Sequence, residues 1–130
     1  MPGDEIEWHP SDGYAVLPFE TGQAFEAWLD VHHADQPGLW VKLAKKGSGI
    51  ASISFPEALE VAMCFGWVDS KLHGYDDDYY VLRYQPRRTR STWSLSNRDL
   101  AERLIADGRM RPAGLARVEA AKADGRWDAS

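Results

Sequence analysis

The chain has 130 residues, a formal net charge of −5 and an apolar fraction of 44%, which is typical of one soluble globular domain. Its one cysteine, Cys64, excludes an intrachain disulfide and favours a reducing compartment. No stretch reaches the length and apolarity of a membrane span. Residues 1–10 lack the charged and apolar regions of a signal peptide, so we expect a cytoplasmic protein.

The first twelve residues are acidic and contain Pro and Gly, and they predict a flexible lead-in to a single domain over residues 13–130. Hydrophobic periodicity predicts eight elements in the order β-α-β-α-β-β-α-α. The strands are predicted over residues 14–19, 39–45, 67–73 and 79–85. The helices are predicted from the Thr21 cap to about residue 35, from the Ser54 cap to about residue 65, and over about 96–106 and 112–124.

These elements predict a small α+β domain with one sheet and helices packed on it. Two patterns are the most specific. Ser54 followed by Pro56 and Glu57 fits a capping box. The period-two runs 67–73 and 79–85, joined by a Gly-Asp loop, predict an antiparallel hairpin.

Charge is distributed unevenly along the chain. Residues 1–41 hold eight acids and no Lys or Arg, whereas the remainder holds 15 basic and 12 acidic residues. The arginine segment, Arg83–Arg98, contains five arginines and no acid. Arginine forks suit carboxylates and phosphates, and a helix N-terminus adds free N–H groups.

We interpret the arginine segment as a site for an anionic or aromatic group, formed by Arg87, Arg88, Arg90, Trp93, Ser94 and Asn97. The alternative interpretation is structural: the serines or Asn97 cap the next helix, and the arginines pair with the acidic N-terminal third.

Two further groups of residues are candidates for ligand contact. Lys42 and Lys45 lie near the Lys-Gly-Ser-Gly loop, which lacks the spacing of a Walker A loop. If the fold brings them to Arg87 and Arg88, the four cations share one pocket. One face of the predicted strand 67–73 carries every second residue, namely Trp67, Asp69 and Lys71. A binding site or a plain surface pair explains them, and Asp69 is the one general-base candidate.

Patterns for metal and cofactor sites are missing from the sequence. The four histidines show no HExxH spacing and no second cysteine exists. The acidic run 76–78 lacks the pattern of a calcium-binding loop. We therefore expect no metal and no cofactor, and we expect Cys64 to be a buried, inert thiol.

Ordered motifs along most of the chain resemble a known family. They are WVKLAKKGSGI at 40–50, GWVDSK at 66–71, PRRTRSTWSLSNR at 86–98, AERLIADGRMRPAGL at 101–115 and AKADGRW at 121–127. The resemblance is to the YdeI/OmpD-associated family, also called bacteriocin-protection proteins, over roughly residues 20–127. It implies a role in tolerance of antimicrobial peptides or bacteriocins and association with an outer-membrane porin. It implies no catalytic residues, and this chain differs from members predicted to be periplasmic because it lacks a signal-peptide pattern.

The sequence thus predicts a binding module for a small anionic or aromatic molecule, or a peptide, that protects by sequestration. Nucleic-acid binding through the same basic segment is the alternative, although a pI of about 5.3 disfavours it. A hydrolase or transferase that uses Asp69 is the third interpretation, and no nucleophile–base pair supports it. The oligomeric state does not follow from the sequence.

Overall fold

A computed structural model describes residues 7–88 and 93–128, and five strands form one mixed sheet. The strands are β1 (Glu7–Trp8), β2 (Ala15–Pro18), β3 (Leu39–Ala44), β4 (Trp67–Gly74) and β5 (Tyr79–Pro86). Their order across the sheet is β1-β2-β3-β5-β4. The β2–β3 pair is parallel, and the other three pairs are antiparallel. The predicted hairpin of β4 and β5 is confirmed.

The helices are α1 (Gly22–His32), α2 (Phe55–Cys64), α3 (Leu95–Ala106) and α4 (Pro112–Ala123), followed by a 3₁₀ turn at Arg126–Asp128. Apolar residues of all four helices join one cluster with one face of the sheet. The predicted α+β class, with one sheet, is confirmed. Within the described ranges, no helix has the length and apolarity needed to cross a membrane.

Side-chain caps set the starts of three helices. The hydroxyls of Thr21, Ser54 and Ser94 accept hydrogen bonds from the amides three residues later, at 3.1, 3.3 and 3.1 Å. Such caps satisfy otherwise unpaired N–H groups. The third helix therefore begins at Leu95, one residue before the predicted start, because Ser94 is the cap.

The two faces of the sheet follow the alternation of side chains along β3. Leu39, Val41 and Leu43 point to the helix layer and belong to the main core. Trp40 points the other way and packs with Val16 and Val81 in a second cluster. The sheet therefore has a face covered by helices and an opposite face, which we call the open face.

A short strand lies within the segment that was predicted as a flexible lead-in, residues 1–12, and the flexibility itself stays a prediction. Glu7–Trp8 forms β1, in register with Val16 and Ala15 of β2. Long-range contacts with the sheet order this segment, and no local pattern marks it in a polar sequence rich in turn residues.

Candidate functional site

Arg87 lies inside the fold, not on a ligand surface. It is 4% exposed, and its guanidinium carbon lies 3.9 Å from the centre of the Trp93 ring. Its amide donates to the carbonyl of Gly66 at 2.7 Å. Trp93 is itself 4% exposed and also packs against Trp127, at 5.0 Å between ring centres. Trp93 is therefore a core residue, and its ring is not an open stacking platform.

The other residues of the predicted arginine site have separate surroundings. Arg88 is exposed, and Arg90 lies outside the described residues. Ser94 is exposed and caps α3 by accepting the amide of Asn97, which is half-buried. The capping interpretation thus accounts for Ser94, and the predicted ligand contact of Asn97 stays a prediction.

Lys42 and Arg87, which were predicted to share a pocket, lie on different sides of the sheet. Lys42 is on the open face, where its Nζ lies 4.4 Å from the Tyr75 ring centre and 4.5 Å from that of Tyr79. Lys45 is exposed just beyond β3. Arg87 packs on Trp93 in the helix-side core. The single pocket that would join Lys42 and Arg87 is therefore not formed.

A register shift in β4 separates Asp69 from Lys71. Asp69 pairs with Tyr84, a residue of the helix-side core, whereas Lys71 pairs with Arg83 after an irregularity at Ser70. An inserted residue of this kind breaks the two-residue alternation. The prediction that Asp69 and Lys71 share a face was therefore wrong.

A cleft of about 350 Å³ opens between the end of α1, the turn from α2 into β4, and α4. We call it the α4 cleft. Ten residues line it: His33, Ala34, Phe65, Gly66, Trp67, Pro86, Ala113, Ala116, Arg117 and Ala120. Among the site residues that were predicted from the sequence and that the structure describes, only Trp67 lies here. It is 2% exposed and donates from its indole N–H to the carbonyl of His33 at 3.3 Å.

The walls of the cleft combine polar and apolar surface, and small residues line its α4 side. Ala113, Ala116 and Ala120 recur at helical spacing, so no long side chain fills the space in front of the helix. Gly66 has a φ of 76°, and a Cβ there would lie 3.0 Å from the carbonyl oxygen of Ala113. The α2–β4 turn therefore approaches α4 closely and closes one end of the cleft.

Positive charge gathers on one side of the cleft. Burial lowers the pKa of Arg87 to about 10. The nearby carboxylate of Asp69 raises this pKa, whereas the guanidinium groups of Arg126 and Arg117 lower it further. Arg126 pairs with Asp124 at 2.7 Å. Arg117 has no salt bridge within the described part of the chain. Among these arginines, Arg117 lines the cleft and is available to an anion.

His33 provides a polar group on the opposite wall. Its Nδ1 lies 2.8 Å from the carbonyl oxygen of Leu29, which only accepts, so Nδ1 is the donor. In the neutral ring, Nε2 then carries the lone pair. Among the described residues of the lining, the polar side chains are the imidazole of His33, the indole N–H of Trp67 and the guanidinium of Arg117.

The sequence did not single out His33, Phe65, Pro86 or Arg117, because they come from distant segments. The alanines at 113, 116 and 120, three and four residues apart around Arg117, were the one local pattern available. Such a stripe also occurs where helices pack closely, so it does not indicate a cleft by itself.

No arrangement of three His, Cys, Asp or Glu side chains in the described ranges has a geometry suited to a metal ion.

These features define a small α+β domain with a cleft of mixed polarity that Arg117 lines. The family model described as a domain of unknown function, DUF8412, matches residues 17–117, from β2 into α4. The chain belongs to that family. Neither curated proteins nor solved structures produced a match.

Proposed function

We propose that this protein is a binding module for a small molecule that joins a flat apolar group to a carboxylate or phosphate. The observation that carries the proposal is the α4 cleft, with Arg117 free of salt bridges in the described residues. Its volume of about 350 Å³ is at the small end of the range of roughly 300–1,000 Å³ for ligand pockets.

The chemistry of the walls supports this class of ligand. Pro86 and the alanines of α4 provide accessible apolar surface for a ring, and Arg117 provides a fork for an anionic group. The Nε2 lone pair of the neutral His33 ring can accept a further hydrogen bond from an O–H or N–H group of the ligand.

The resemblance to the YdeI/OmpD-associated family supports sequestration as the biological outcome. We infer that binding removes a toxic compound and so contributes to stress or antimicrobial tolerance. A single free, buried cysteine suits a reducing compartment, which supports action in the cytoplasm.

The positions of the basic residues favour a small ligand over nucleic acid. Nucleic-acid binding needs a continuous basic surface. Here Arg87 is buried and Lys42 lies on the other side of the sheet, so the cations of the sequence-predicted site do not form such a surface.

Calorimetric titration with 2-naphthoate and with its neutral counterpart 2-naphthamide tests the proposal. We expect 2-naphthoate to bind and 2-naphthamide to bind about tenfold more weakly, since a hydrogen bond to a charged group contributes about 1.5–3 kcal/mol. Arg117→Ala should remove this preference, and Arg117→Lys should restore part of it.

Arg103→Ala is the matched control, because it removes an exposed arginine of α3 that does not line the cleft. Equal affinities for the two naphthalene compounds, or equal effects of Arg117→Ala and Arg103→Ala, would refute the proposal. Tighter binding of an oligonucleotide, with a steep loss of affinity in salt, would favour the alternative.

A further inference from the structure

Residues 7–14, which we call the strap, lie against the open face of the sheet, the face opposite the helices. Its first residues pair with β2 as β1. Its turn is closed by two backbone hydrogen bonds of 2.8 Å, from the His9 amide to Tyr14 and from the Gly13 amide to His9. Gly13, with a φ of 73°, supplies the left-handed conformation that this turn needs.

The middle of the strap lies on an aromatic platform. The His9 ring stacks on Trp40 with 4.0 Å between ring centres and 13° between planes. His73 of β4 contacts the same indole at 4.9 Å. Trp40 is completely buried, so the strap removes from solvent an aromatic surface that the sheet presents.

The end of the strap carries a carboxylate that two sheet residues bind. Asp12 accepts from the Trp40 indole N–H at 3.1 Å and from the Arg83 guanidinium at 3.2 Å. Burial by itself would raise the pKa of Asp12, but these bonds and one from the Tyr14 amide lower it below its ordinary value. Arg83 is held in place by its Nε, which donates to the Ser70 hydroxyl at 2.8 Å.

The start of the strap has a second acidic contact. The Glu7 carboxylate accepts from the Tyr75 hydroxyl, and this hydrogen bond raises the pKa of Tyr75 to about 12. The Tyr75 ring is also one of the two that contact Lys42. The open face therefore offers a strand edge, an aromatic platform and two polar binding points for carboxylates.

These are the elements by which proteins bind extended peptides: a sheet edge pairs with the peptide backbone, and pockets on the face select side chains. We propose that the open face is a docking site for an acidic, ring-bearing segment of a partner protein, and that the strap occupies this site in cis. The strap shows the chemistry that the site selects, since its ring lies on Trp40 and its carboxylates on Arg83 and Tyr75.

Attachment to the same chain gives the strap an effective concentration in the mM range. A partner segment must therefore compete with it, and docking is weak until the strap is displaced. This site is separate from the α4 cleft, so the inference does not depend on the ligand proposed for the cleft.

Fluorescence anisotropy with a labelled, N-acetylated peptide of residues 7–14 tests the inference on the full chain. In the variant His9→Ser/Asp12→Asn, the cis strap loses the ring that stacks on Trp40 and the carboxylate that binds Arg83, while the sheet side of the site is unchanged. We expect this variant to bind the peptide at least tenfold more tightly than the wild type does. A peptide that carries the same two changes should not bind, and adding Arg83→Ala to the variant should abolish binding of the original peptide.

The inference is overturned if the variant binds both peptides alike or if binding survives Arg83→Ala. It is also overturned if the amide at position 9 exchanges as slowly in the double variant as in the wild type. The contacts of His9 and Asp12 would then not be what holds the strap on the sheet. Dimerisation of the variant without peptide binding would instead identify a second copy as the occupant. Glu7→Gln, which changes only the first contact, is measured in parallel and should raise peptide affinity by a smaller factor even if the double variant does not fold.

Discussion

Replacing Gly114 by alanine should destabilise the protein, although alanine is the better helix former. Gly114 lies in α4 where the helix meets the end of α2. A Cβ there would collide with the carbonyl oxygen of Cys64, lie 2.8 Å from its carbon and lie 2.5 Å from the sulfur of Met110. The methionine side chain can move aside, but the carbonyl is backbone and accepts the Arg111 amide at 3.0 Å.

The magnitude follows from two opposing effects. Overpacking a well-packed core costs up to about 3 kcal/mol, and the backbone collision places this site at the upper end. Alanine recovers about 1 kcal/mol of helix propensity relative to glycine. We therefore expect Gly114→Ala to lower the free energy of unfolding by about 2 kcal/mol, which corresponds to a fall in Tm of roughly 6–8 °C for a domain of this size.

Urea unfolding followed by far-ultraviolet circular dichroism measures the effect. Gly74→Ala is the matched control, because a Cβ there meets no atom within 4 Å and its φ is not positive. We expect it to leave the urea midpoint nearly unchanged. If Gly114→Ala were as stable as the wild type, the close approach of α4 to α2 would be refuted, and with it the geometry of one wall of the α4 cleft.

Three further outcomes are expected. Ser54→Ala should lower stability by about 1 kcal/mol, because the amide of Glu57 loses its acceptor; an unchanged urea midpoint would contradict this role. Because the pKa of Asp12 is lowered in the folded state, its contribution to stability is present above about pH 4 and is lost as the pH falls through the lowered value. Thermal unfolding of Asp12→Asn should accordingly depend less on pH below about 4 than unfolding of the wild type, and parallel curves would show that Asp12 is not responsible. Cys64 is 5% exposed and burial raises the pKa of its thiol, so it should react with Ellman's reagent far more slowly in the folded protein than in urea, whereas equal rates would contradict its burial.

Local patterns were sufficient for the four helices, for strands β2 to β5 and for the hairpin, but not for β1. The caps at Thr21, Ser54 and Ser94 act within three residues, and the alternation of β3 is set by neighbouring side chains. The start of α3 was misplaced by one residue because Ser94 and Ser96 both suit a cap, and local sequence does not distinguish them. The bulge at Ser70 escaped prediction because pairing with β5 produces it.

The candidate sites depended much more on the tertiary structure. The sequence located a concentration of arginines near β5, but burial placed Arg87 against Trp93, in the core. Arg117, which is the better anion contact, lies in a helix whose sequence is unremarkable apart from its alanines.

By itself the sequence determined the α+β class, the order of its elements and the caps, because these follow from periodicity and from contacts between residues close in the chain. Only the tertiary structure decided which charges meet. It joined Asp12 to Arg83, brought Arg117 to Trp67 and separated Lys42 from Arg87. The physical reason is that electrostatic and aromatic contacts act over a few ångströms in space, whatever the distance along the chain.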